Sequence, residues 1–127
     1  MSVSQSSDLV DVLGYFNTLL QRGNLTYFQY MAEGKTFLYA EILRDNNMLM
    51  RELLLEHCHR LPAELRDMAL EVINHIDVWN LQFLAMTKLK AFNLNDPFIF
   101  EGKYKYPTDA VNAIMAYHAE LASDSAS

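Results

Sequence analysis

The sequence predicts an all-α protein: a bundle of four to five helices, with a short extended aromatic segment at about 97–107 ahead of the last helix. Three observations predict it. Apolar residues recur at steps of three and four through most of the chain, the period of an amphipathic helix. The three prolines, Pro62, Pro97 and Pro107, fall at the edges of those runs, where a residue without an N–H does least harm. Only around 98–106 does the apolar period change from helical to alternating.

The elements follow in order. Ser6, Ser7 and Asp8 offer caps for a first helix. Leu9, Val12, Leu13, Phe16, Leu19 and Leu20 then line one face, and Gly23 is expected to stop the helix. Helix 1 is therefore placed at about 8–21. A second helix is expected from 25 to 45, with Leu25, Phe28, Met31, Phe37, Leu38, Ala40 and Ile42 as its apolar residues. Gly34 lies inside it and costs about 1 kcal/mol against Ala; it marks a kink, a break or a close helix crossing. Asn46-Asn47 reads as a boundary, with a third segment from 47 to 60.

The fourth pattern, from Pro62 to about Phe92, is the clearest. Leu65, Met68, Ala69, Val72, Ile76, Trp79, Phe83 and Met86 form one stripe. A second, weaker stripe holds Leu70, Ile73, Leu81 and Leu84, interrupted by Asp77 and Lys88. A helix apolar on two sides needs cover on both, from its own neighbours or from a partner. Asn95-Asp96-Pro97 is a turn signal. Phe98, Phe100, Tyr104 and Tyr106 then alternate with Ile99, Glu101, Lys103 and Lys105, the mark of a strand or extended arm. A last helix is expected from 109 to 122. The single domain is thus placed at 8–122, with residues 1–7 and 123–127 expected to be flexible.

Composition narrows the function classes. The chain of 127 residues is 51% hydrophobic and 20% charged, which rules out intrinsic disorder. Its formal net charge of −6 argues against a nucleic-acid footprint, which needs a basic patch. One cysteine forms no internal disulfide and points to a reducing, cytoplasmic setting. The first residues lack the basic and apolar regions of a signal peptide, and no apolar run is long enough for a membrane span.

Glu56-His57-Cys58-His59 is the densest group of chemically capable side chains. On a helix Glu56 and His59 share a face, in the Glu-x-x-His spacing with which helical di-iron bundles hold metal. A transition-metal site would use Glu56 and His59 with a distant His75 or His118. The expected second Glu-x-x-His is missing, and Pro62 makes the run the polar end of a helix. Neighbouring groups on a helix face apart, which also argues against Cys58 as a nucleophile with an adjacent base. Arg51 and His57 have the short Arg-to-His spacing used by some small all-α ribonucleases, but the residues between them read as ordinary helix.

The aromatic segment has three readings: a lid on the core, a surface for a peptide partner, or a stacking platform for single-stranded nucleic acid with Lys103 and Lys105. The function expected from the whole is that of a regulatory or adaptor protein without enzymatic chemistry or a resident cofactor. It would act by protein contact and as a homodimer through the long helix. Trp79, Phe83, Phe98, Phe100, Tyr104 and Tyr106 are the expected contact residues, because aromatics dominate interface hot spots.

Overall fold

A computed structural model describes residues 2–100 and 106–126, with side chains at 9–100 and 106–124. Among the described residues the architecture is all-α, with four α-helices and no strand. They are α1 (Ser2–Ala32), α2 (Phe37–His57), α3 (Ala63–Leu89) and α4 (Thr108–Ala126), with a 3₁₀ turn over Cys58–Arg60 after α2. Consecutive helices pack together and α4 closes back on α1, so α1 lies diagonally across from α3 and α2 across from α4.

The first half of the chain corrects two expected boundaries and puts a break at Gly34, one of the readings open there. Helix 1 does not stop at Gly23; α1 runs through it to Ala32. The break comes at Gly34, whose φ of +86° is a left-handed conformation that glycine adopts without a Cβ penalty. Lys35 follows at φ +54°. Its N–H donates to the Tyr30 carbonyl at 2.8 Å, which satisfies one of the orphan carbonyls at the end of α1. Asn46-Asn47 is no boundary either, since α2 is continuous from Phe37 to His57.

Gly23 and Asn46 fail as punctuation for the same reason: they face each other across the α1–α2 crossing. A Cβ at Gly23 would lie 2.9 Å from Asn46 Nδ2. Asn46 is fully buried; its Nδ2 donates to the Leu19 carbonyl at 2.8 Å, and Arg22 Nη1 donates to its Oδ1 at 3.4 Å. A buried amide is tolerated when its polar atoms are paired in this way.

The second half follows the expected pattern closely. Pro62 stands one position before α3, and its carbonyl accepts the Arg66 N–H at 2.8 Å. Pro107 does the same for α4, accepting the Val111 N–H at 3.1 Å. The extended segment makes no strand among its described residues. It forms a single bridge, Thr36 to Pro97. Through the same contact the Phe37 and Leu38 N–H groups at the start of α2 donate to the Asp96 and Leu94 carbonyls at 2.8 and 2.9 Å, which occupies two donors that a helix leaves unpaired.

The core is in two parts. The larger is aliphatic, built from Leu13, Phe16 and Leu20 of α1, Met50 and Leu54 of α2, Val72, Ile73 and Ile76 of α3, and Val111 and Ile114 of α4. The smaller is aromatic and gathers Tyr30, Phe37, Phe83, Phe92 and Phe98 at the other end. Asn46 lies along α2 between residues of the two parts. Helix length explains the division. At about 1.5 Å per residue α4 is roughly 28 Å long and α1 roughly 46 Å, so α4 covers only one end of the groove between α1 and α3. The chain between α3 and α4 partly fills the rest.

Candidate functional site

Four of the expected contact residues, Trp79, Phe83, Phe98 and Phe100, pack on one another, while Tyr106 is 48% exposed. Phe98 is 0% exposed and Phe83 2%. The Phe98 ring lies 4.9 Å from Phe83, 4.8 Å from Phe92 and 4.9 Å from Phe100, and Trp79 lies 4.7 Å from Phe100. These are the separations of favourable aromatic pairs. The Tyr30 hydroxyl donates to the Phe98 carbonyl, and burial raises its pKa, so the phenol keeps its proton. Phe98 and Phe100 of the segment therefore act as a lid on the core. In this conformation Phe83 and Phe98 offer no surface to a partner or to a nucleic-acid base. Tyr104, Lys103 and Lys105 lie outside the described residues.

The expected metal residues do not assemble. Glu56 is exposed in the last turn of α2, His59 lies in the 3₁₀ turn, and His75 is on α3, its ring edge-on to Tyr106 at 5.5 Å. Among the described residues no three His, Cys, Asp or Glu side chains are grouped so as to hold a metal ion. Arg51 and His57 also part company: Arg51 Nε donates to Asp77 on α3, while His57 Nδ1 lies 3.2 Å from Arg60.

What the bundle does form is a cavity of about 460 Å³ in the groove beyond the start of α4. α1 contributes Leu20, Gly23, Asn24 and Tyr27 to it, and α2 contributes Leu43, Asn46, Asn47 and Met50. α3 supplies Val72, His75, Ile76, Val78, Trp79 and Gln82; Phe100 and Tyr106 close it from the connecting chain. No described residue lining it carries a formal charge at neutral pH if His75 is neutral, and burial lowers the His75 pKa, which favours the neutral ring. Of these residues the sequence offers His75, Trp79, Phe100 and Tyr106 as candidate site residues. Asn46-Asn47 reads there as a boundary, although a polar pair inside an otherwise helical run also marks a polar site on the helix.

Two apolar faces are left on the outside. On α3 three residues of the second stripe, Leu70, Leu81 and Leu84, are exposed, Leu81 at 65%, while the fourth, Ile73, is buried in the core. Asp77 within that stripe is paired with Arg51, and Arg44 Nε donates to Asn80 Oδ1 at 3.0 Å alongside. On α1 Leu25, Phe28 and Met31 are exposed, Phe28 at 71%. Among the described residues no helix is long and apolar enough to cross a membrane. No family model, no curated protein and no solved structure matches this chain.

Proposed function

We propose that this chain is a small regulatory or adaptor protein of the cytoplasm, acting by contact with other proteins and pairing with a second copy of itself. The observation that supports the reading is the outer stripe of α3. Leu70, Leu81 and Leu84 repeat at helical spacing on the longest amphipathic pattern in the sequence, yet each keeps a third or more of its surface exposed. Exposed apolar stripes of this kind are contact surfaces by default. The Arg51–Asp77 pair neutralises the one charge on α3 between Leu70 and Leu84 in that stripe, so pairing would bury no lone ion.

A two-fold contact presents the same patch from both copies, and α3 would lie against α3. The Leu25–Phe28–Met31 face of α1 is left for a different protein, because α1 and α3 are diagonal in the bundle. Met and Phe are enriched at the centres of such interfaces. The contact residues in this reading are therefore outer ones, and Phe83 and Phe98 hold the fold that presents them.

Sedimentation velocity across a range of concentrations tests the pairing. The wild-type chain should sediment as a dimer, and Leu81→Asp with Leu84→Asp as a folded monomer. A wild-type monomer at every concentration, or a dimer indifferent to both substitutions, would remove the reading.

A further inference from the structure

We propose that the cavity beside α4 is a binding site for an uncharged, largely apolar small molecule carrying an aromatic ring and hydrogen-bonding groups. Its volume of about 460 Å³ is far above the roughly 30 Å³ share of one water and falls within the range of about 300–1,000 Å³ typical of small-molecule sites. The site is open to solvent along one side, where Tyr27 is 55% and Tyr106 48% exposed, so a ligand can enter it without a change of fold.

The lining selects the chemistry. Trp79 and Phe100, already packed 4.7 Å apart, offer a surface for a flat ring, with Leu43 and Ile76 as apolar wall. The polar groups are amides. Asn46 is committed to Leu19 and Arg22. Asn24, Asn47 and Gln82 make no side-chain hydrogen bond to any described residue. Three unengaged amides around an apolar wall, with no described charge to receive an ion, are the donors and acceptors that orient a neutral ligand. The site's position gives a physical reason for it: α4 is too short to fill the groove between α1 and α3.

The probe is N-phenyl-1-naphthylamine, which is uncharged, aromatic and fluorescent in apolar surroundings. Its comparator is 8-anilinonaphthalene-1-sulfonate, the same ring system with an anionic group. Trp79 is the only tryptophan, so transfer of its emission to the probe reports the location directly in the wild-type chain. The expected result is saturable binding of one neutral probe per chain, quenching of Trp79, and at least tenfold weaker binding of the sulfonate. Asn47→Trp, which places a large ring in the cavity mouth, should weaken neutral-probe binding at least tenfold with the helical circular dichroism unchanged.

The titration is repeated on Leu81→Asp, where binding should be unaltered; this separates the cavity from the α3 stripe and from the pairing proposed above. No saturable binding of the neutral probe, equal binding of the sulfonate, or binding without Trp79 quenching would each overturn the proposal. If Asn47→Trp does not fold, the wild-type quenching and the charge comparison still decide.

Discussion

Asn46 is fully buried on α2, and Gly23 of α1 lies opposite it. The two residues were chosen together by the crossing, which gives a prediction with a change of sign. In an ordinary helix interior Gly→Ala gains about 1 kcal/mol. Here the new methyl group meets Asn46 Nδ2 at 2.9 Å, and the amide has bonds to Leu19 and Arg22 to lose. Gly23→Ala should therefore destabilise by about 1–2 kcal/mol, the cost of disturbing a buried hydrogen bond. In an Asn46→Ala background the same substitution should stabilise, by up to about 1 kcal/mol. Urea denaturation of the four proteins measures the coupling. His75 supplies a pH prediction at the same scale. Burial lowers its pKa below the ordinary value of about 6.5. The unfolded chain thus takes up a proton that the folded chain resists, so the contribution is complete above pH 6.5 or so and is lost as pH falls. Thermal midpoints at pH 7.5 and 5.5 should differ more for the wild type than for His75→Gln. Neither pairing can be read from sequence. A glycine in a helical run is the same letter whether it stops a helix or admits a neighbour, and only the partner across the crossing decides.

Among the helices α3 was the most readable, because its two stripes have the helical period with little interruption and Pro62 fixes its start. Both stripes exist, and most of their residues divide as the pattern implies: Val72, Ile76 and Phe83 are buried while Leu70, Leu81 and Leu84 are open, with Ile73 of the second stripe turned into the core. The division predicts opposite outcomes for neighbouring residues. Phe83→Ala should cost about 3–5 kcal/mol, as for other large core truncations, with loss of the cooperative thermal transition as the readout. Leu84→Asp should change monomer stability by no more than about 0.5 kcal/mol. The α1–α2 hairpin was misread because its break is not where the stronger stop signals lie. Arg22 and Gly23 resemble a helix end, yet the chain turns at Gly34 and Lys35, where φ is positive at both. The turn is held from outside, by the Leu94 and Asp96 carbonyls that accept the first N–H groups of α2 and by the Phe98 N–H that donates to the Lys35 carbonyl at 2.8 Å. Those partners are some sixty residues away in sequence, beyond the reach of any local pattern.

At the scale of the molecule, unequal helix lengths have two consequences. α4 fills one end of the groove and leaves the cavity at the other, and Phe92, Phe98 and Phe100 from the chain after α3 pack inward as part of a second core. The aromatic segment was visible in the sequence by its alternation, but its direction was not, because alternating residues mark two faces without saying which is covered. With Phe83 and Phe98 turned inward, the apolar surfaces proposed for contact are the leucine stripe of α3 and the Leu25–Phe28–Met31 face of α1. The central claim is that two copies meet through the outer stripe of α3, and cysteine cross-linking locates that contact. In a Cys58→Ser background, where the chain's single thiol is removed, Leu81→Cys should give a disulfide-linked dimer under mild oxidation. Asn112→Cys, exposed on α4, should stay monomeric on a denaturing gel. Equal cross-linking at the two positions, or none at Leu81, would contradict the account.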